Sequence, residues 1–231
     1  MIEVLYEDNH IIAVNKKVSD IVQGDKTGDI TLADETKAYI KKKYNKPGDV
    51  YLGIPHRLDR PVSGVIIFAR TSKALTRLNL MFQDHEDMIV KTYWAIVCKL
   101  PEKDHEVLID FVVKDDKFNR SHIYDSAKKG AKMAKLEYTL IGSSQRYYLL
   151  NIRLFTGRHH QIRGQLAKIG CSIKGDIKYG APSPNQDGGI SLHARSISFV
   201  HPVSQKRLTI VAEPNTKDQL WKIFSEQNKG R

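Results

Sequence analysis

The chain has 231 residues, with 37 Lys+Arg against 26 Asp+Glu, a formal charge of +11, and 41% hydrophobic residues. That composition supports a buried core and excludes an intrinsically disordered chain. Cys98 and Cys171, the two cysteines, cannot build a disulfide framework or a cysteine metal site. The start, MIEVLYEDNH, lacks the basic leader and apolar stretch of a signal peptide, and the longest apolar run, Val65–Ala69, is too short to span a bilayer. A cytoplasmic globular protein with no membrane association is expected. Its excess charge fits a polyanionic partner or plain solubility and names no function.

In chain order, Val4–Tyr6 and Ile11–Val14 read as strands joined by the polar turn Glu7-Asp8-Asn9-His10. A polar loop follows over 24–29. Leu32, Thr36, Tyr39 and Ile40 recur at helical spacing from Thr31, and Pro47-Gly48 stops that helix. Its lysines 37 and 41–43 read as a solvated face. Val65–Arg70 is a buried strand, and Ser72 is placed to cap a helix with Ala74, Leu75, Leu78, Met81 and Phe82 on its apolar side.

Further strands are expected at Ile89–Cys98, Val107–Val113, Lys135–Ile141 and Tyr147–Leu154, with the polar stretch 114–130 as a long excursion between strands. A short helix over His159–Lys168 closes at Gly170. Strands at Ile190–Val200 and Arg207–Ala212 precede a last helix over Thr216–Glu226 and a frayed Lys229-Gly230-Arg231 tail. Strands outnumber helices and short turns join many neighbours. The pattern predicts an α+β fold on a largely antiparallel or mixed sheet, one domain over 1–231.

Four polar clusters could carry chemistry. In His56-Arg57-Leu58-Asp59-Arg60-Pro61-Val62-Ser63-Gly64 the flanking arginines favour an ionised, oriented Asp59, on a loop stiffened by Pro61 and punctuated by Gly64. Such a carboxylate suits a nucleophile or base, and an ion pair without chemistry accounts for the same residues. In Gly157-Arg158-His159-His160-Gln161-Ile162-Arg163 a strand meets a helix start crowded with cations, an anion site rather than a metal site, because adjacent histidines diverge on a helix.

Tyr93, in Lys91-Thr92-Tyr93-Trp94-Ala95, shares a strand face with Lys91 and Ala95. Its ring fits either a core tyrosine or a platform for a flipped base. His193 and His201 on the late strand read as structural histidines. No Walker or dinucleotide glycine loop is present, so no nucleotide cofactor is expected.

Taken in order, these clusters resemble the RluA-type pseudouridine synthases. HRLDRPVSG (56–64) matches the family's H-R-L-D-x-x-T-S-G, KTYWA (91–95) its K-x-Y-x-A, GRHHQIR (157–163) its G-R-x-H-Q-I-R, and LHARSISFVHP (192–202) its L-H-A…F-x-H-P. The opening VLYEDNHIIAVNK is similar to the family's start, so the resemblance covers nearly the whole chain. Val62 stands where the family usually has Thr, removing one hydroxyl. No S4-type RNA-binding domain is expected ahead of the catalytic hairpin.

The resemblance implies isomerisation of uridine to pseudouridine in tRNA or ribosomal RNA, on a curved, mostly antiparallel sheet with flanking helices and a central catalytic cleft. It implies that Asp59 attacks the ribose or abstracts its 2′ proton, that Arg163 pairs with Asp59, and that Tyr93 packs on the target base and assists the last proton removal. Arg57 would replace the extruded base, and His56, Arg60, Arg158, His160 and Gln161 would contact RNA. It implies no metal or organic cofactor, and a monomer is expected. Two alternatives stand beside it. One is a silent RNA-binding or RNA-folding module on the same scaffold, and the other is a hydrolase that uses Asp59.

Overall fold

A computed structural model describes residues 2–24, 28–83 and 88–229. The expected loop at 24–29 and the C-terminal tail fall partly outside these residues. The chain divides into two compact units, one holding the residues up to Ile89 with Ala194–Glu213, the other Val90–His193 with the residues from Pro214 onward. Among the described residues no helix is long and apolar enough to cross a membrane.

The first unit opens with the expected hairpin, β1 (Glu3–Glu7) against β2 (Ile11–Lys16), antiparallel. Asp8 closes its turn by accepting the backbone N–H groups of His10 and Ile11 at 2.7 and 2.8 Å, the short-range geometry that makes Asp a turn residue. β2 runs on to Lys16 and pairs antiparallel with β3 (Ser63–Ala69). On its other side β3 neighbours β9 (Leu192–Val200), which carries β10 (Arg207–Val211).

Helix α1 (Leu32–Lys43) starts on a capping box in which the Thr31 hydroxyl accepts from the Asp34 N–H and the Asp34 carboxylate accepts from Thr31. It lays Leu32, Ala33 and Ile40 on Ile12, Val14, Ile66 and Phe68, which are buried in one core. Helix α2 (Ser72–Phe82) is capped by Thr71 rather than by Ser72, whose place is the first helical residue.

The lysine face of α1 is not merely solvated. Lys43 Nζ lies 2.6 Å from Glu7, which also accepts from Tyr39, Tyr44 and the buried Arg70. Burial alone would raise the Glu7 pKa, yet these hydrogen bonds, Lys43 first, hold it below the usual carboxylate value.

In the second unit the strand order is β4 (Ile89–Val97), β8 (Tyr148–Leu154), β7 (Lys132–Ser143), β5 (His105–Asp115), β6 (Arg120–Tyr124), each pair antiparallel. Strand β6 corrects the expectation of a long excursion. Residues 120–124, RSHIY, carry too little apolar alternation to signal a strand, and they become one because β5 continues to Asp115 and offers its edge from Phe111 to Asp115.

The last helix, α4 (Gln219–Gln227), starts later than expected because Asp218 is its cap. It buries Trp221 and Phe224 against Trp94, Ile96 and Leu149, each large apolar side chain contributing about 1.5–3 kcal/mol. Helix α3 (Gln161–Lys168) and a 3-10 turn (Ile177–Tyr179) complete this unit. The α+β, largely antiparallel architecture is the one expected.

Candidate active site

The loop that carries Asp59 is pinned on several sides within the first unit. Leu58 packs against the core cluster under α1. His56 accepts the Ile67 N–H through Nε2 at 2.9 Å, and its ring stacks on Phe82 with centroids 4.4 Å apart. Val62, where the resembled family has Thr, is 2% exposed, so the apolar side chain suits its place. Gly64 has φ +118°, and a Cβ there would lie 2.4 Å from the backbone oxygen of Ala194. Only glycine lets β3 start beside β9. Asp59 itself is half-buried, whereas Arg57 and Arg60 are exposed.

Beneath this loop lies a residue that no sequence motif marks. Lys16 is 0% exposed, and its ammonium donates to the carbonyls of Val62 (2.6 Å), Lys17 (3.0 Å) and Arg60 (3.1 Å). Three carbonyl acceptors require three N–H donors, which only the protonated form has. Burial pushes its pKa down to about 8, opposed by the nearby carboxylates of Asp20 and Asp59. The only signal in the sequence was a lysine ending the apolar run IIAVNK. Arg60 Nη1 faces Asp29 at 3.7 Å across exposed side chains.

The second unit holds the other candidates. Tyr93 lies on β4 opposite Ile152 of β8, half-buried, on the face away from the α4-covered Trp94 and Ile96. The strand-to-helix turn 156–161 is built differently from expectation. α3 begins at Gln161, with His160 before it at φ 50° in the left-handed region, so the two histidines precede the helix. Their rings stack, centroids 3.9 Å apart, instead of diverging.

Gln161 is 3% exposed and clamps this turn. Its Oε1 accepts from the Arg158 N–H (3.0 Å) and the Thr156 hydroxyl (2.8 Å), and its Nε2 donates to the Lys135 carbonyl (3.1 Å). His160 is buried, and burial first, then the Arg163 charge, pushes its pKa down to about 2. The neutral ring's Nδ1 lies in hydrogen-bond contact with the Tyr179 hydroxyl, 3.1 Å away. His160 and Gln161, expected to face RNA, are therefore bonded inside the turn, while Arg158 lies half-buried with Nε on the Met133 carbonyl at 2.9 Å.

Arg163 binds Asp176 through two parallel hydrogen bonds, Nε to Oδ2 at 2.7 Å and Nη2 to Oδ1 at 2.8 Å. Its guanidinium also lies 5.0 Å from the Tyr179 ring centroid. Bidentate pairing of this kind fixes both position and plane. Asp176 was invisible in the sequence because Lys-Gly-Asp is too short to be a motif. Among the described residues no group of three or more His, Cys, Asp or Glu is arranged to hold a metal ion. His201, as expected, is structural: its Nδ1 accepts the Ser204 N–H at 2.9 Å and its Nε2 faces Asp8 at 2.8 Å.

Comparison with known proteins agrees with the motif pattern. The family model described as RNA pseudouridylate synthase matches residues 10–168. The chain is 30% identical to the ribosomal large subunit pseudouridine synthase D of Zymomonas mobilis, over 99% of this chain and 74% of that protein. It is also 30% identical to the tRNA pseudouridine synthase C of Vibrio vulnificus, over 98% and 95%. Among solved structures, human RNA pseudouridylate synthase domain containing 4 superposes with a TM-score of 0.77 at 22% identity, covering 97% of this chain and 92% of that one, and shares its fold. The chain therefore belongs to the RNA pseudouridylate synthase family, the RNA-modifying isomerases that convert uridine to pseudouridine.

Proposed function

We propose that the protein isomerises specific uridines in a structured RNA, tRNA or large-subunit ribosomal RNA, with Asp59 as the reacting carboxylate. The observation that carries this reading is the fixed HRLD loop. It holds a half-buried carboxylate rigidly through Leu58, His56, Lys16 and Gly64. A carboxylate held this way needs no reorganisation when it reacts.

The reaction rearranges the nucleoside. The N1–C1′ bond breaks, uracil turns, a C5–C1′ bond forms, the C5 proton leaves and N1 gains one. Atoms balance without an oxidant, a reductant or a group donor. On the family resemblance, Asp59 attacks the ribose or removes its 2′ proton, Arg163 is the cation that keeps it ionised, and Tyr93 packs on the uracil and assists loss of the C5 proton. Exposed Arg57 fills the space of the extruded base, offsetting the few kcal/mol that flipping costs. His56, His160 and Gln161 act by shaping the two loops, and Arg60 and Arg158 by meeting phosphates. Relatives named for ribosomal and transfer RNA support this substrate class.

The test incubates the purified chain with unmodified tRNA and ribosomal RNA fragments and reads pseudouridine by its chemical adduct and primer-extension stops. Wild type is expected to form pseudouridine without added metal. Asp59→Asn is expected to bind RNA normally and turn over nothing, because affinity comes mainly from phosphate contacts. Equal backgrounds for wild type and Asp59→Ala overturn the enzyme reading and leave an RNA-binding module. Equal loss of binding and turnover in Asp59→Asn makes Asp59 structural.

A further inference from the structure

We propose that the β5–β6 hairpin and the groove beside it form a second RNA contact, in which Arg120 and Lys178 hold backbone phosphates and Phe118 stacks on an unpaired base. The proposal rests on the RNA-modifying reading above and adds a site outside the candidate catalytic residues.

The groove lies along β6, the last strand in its unit's order, and has a volume of about 500 Å³. Ile123, Ile177 and Tyr179 give it an apolar floor, and Arg120, Lys168 and Lys178 stand around it. These cations are not equivalent. Lys168 is neutralised by Asp110 and Asp125. Arg120 and Lys178 are exposed and pair with no carboxylate among the described residues, yet both are held in place. The Arg120 guanidinium sits 4.9 Å from the Tyr179 ring centroid. Lys178 Nζ donates to the Asn119 carbonyl at 2.9 Å. Two oriented, unneutralised cations beside one groove are what a run of phosphates needs.

The acids of the hairpin turn do not cancel them. Asp115 accepts the Phe118 N–H at 3.2 Å and faces His122 at 3.3 Å, which closes the turn, and Asp116 is taken by Lys114 at 2.5 Å. At the tip Phe118 is 65% exposed, with the Lys117 ammonium 5.3 Å from its ring centroid. A single exposed aromatic is ordinary. One presented next to two anchored cations is the pairing of stacking platform and charge that single-stranded nucleic acid uses.

The hairpin is also braced. Asn119 Oδ1 lies 3.2 Å from His159 Nε2, the Ser121 hydroxyl donates to the His159 carbonyl at 2.6 Å, and the Ser121 N–H donates to the Tyr179 hydroxyl at 2.7 Å. Gly164 makes room for it, since a Cβ there would meet Ile123 at 2.7 Å. The platform is therefore preformed on the GRHHQIR turn, and little ordering cost remains on binding.

The test measures steady-state kinetics and RNA affinity of the full chain on the tRNA and ribosomal RNA fragments above, across a salt series. Arg120→Gln with Lys178→Gln is expected to raise KM about 10-fold with kcat retained. The slope of log affinity against log salt should become shallower by roughly 1.5, the counterion release of two phosphate contacts. Phe118→Ala is expected to raise KM about 10-fold without changing the slope, and Phe118→Trp to restore it. Because these side chains are exposed, urea midpoints should stay at the wild-type value. Wild-type KM and slope in the variants overturn the proposal. So do unchanged RNA affinity and altered self-association in sedimentation, which assign the β6 edge to a protein partner. A wild type that forms no pseudouridine overturns the enzyme reading instead, and RNA affinity then still reports on this groove.

Discussion

The Asp176 carboxylate receives two N–H groups of Arg163, at 2.7 and 2.8 Å, with the two side chains only 1% and 6% exposed. Removing one partner of a buried pair strands the other charge, at a cost of about 3–5 kcal/mol. Asp176→Ala should therefore lower the urea midpoint strongly. Asp176→Asn keeps the shape but weakens the bond, and should leave a folded protein with reduced kcat. Unfolding curves with single-turnover rates check both, and a wild-type rate for Asp176→Asn would detach this pair from catalysis.

Lys16→Met is expected to destabilise the chain by at least about 2 kcal/mol, because three carbonyls of and around the Asp59 loop lose a buried donor. Loss of turnover should exceed loss of RNA affinity.

The same lysine gives a pH signature. Its folded pKa of about 8 lies below the ordinary 10.5. Between those values the unfolded chain binds the extra proton, so this group's contribution to stability rises with pH. The loop fares oppositely, because the neutral amine has one donor fewer. We expect kcat to fall as pH rises through about 8 while the urea midpoint does not fall with it. A rate that stays flat to pH 10 would contradict this.

Gly64→Ala should cost about 3 kcal/mol or more, combining a strained φ with the collision against Ala194. Gly188→Ala is the control. It also has positive φ, at +72°, but nothing lies within 4 Å of its Cβ position, so it should cost distinctly less by urea denaturation.

Glu7→Gln removes the negative charge and one of the two oxygens that accept from Lys43, Tyr39, Tyr44 and Arg70. The Glu7 pKa is lowered on folding, so its contribution is present above the usual carboxylate pKa and lost as pH falls through the folded value. The variant should be less stable than wild type at pH 7, with the difference shrinking on acidification. A difference independent of pH would show that packing, not charge, is lost.

The strands and helices that face a core were legible, because burial imposes a period on apolar residues. So were the motif residues, whose types and order are unusual together. Lys16, Asp176 and Tyr179 were not, because each works through a partner distant in sequence and nothing local distinguishes it. Strand β6 has no signal of its own, because its polar residues become strand only by borrowing the edge of β5. The histidine pair departs from helical spacing because one left-handed residue, His160, sets the helix start past both rings.

The protein thus keeps two populations of positive charge that respond differently to their surroundings. Surface lysines and arginines exchange partners freely with dissolved ions and lose their hold on RNA as ions are added. The Lys16 ammonium is sealed from the solution, so no mobile ion competes for the carbonyls it holds. Adding salt should empty the enzyme without loosening it, and the molecules that still carry RNA should turn it over at the dilute-buffer rate.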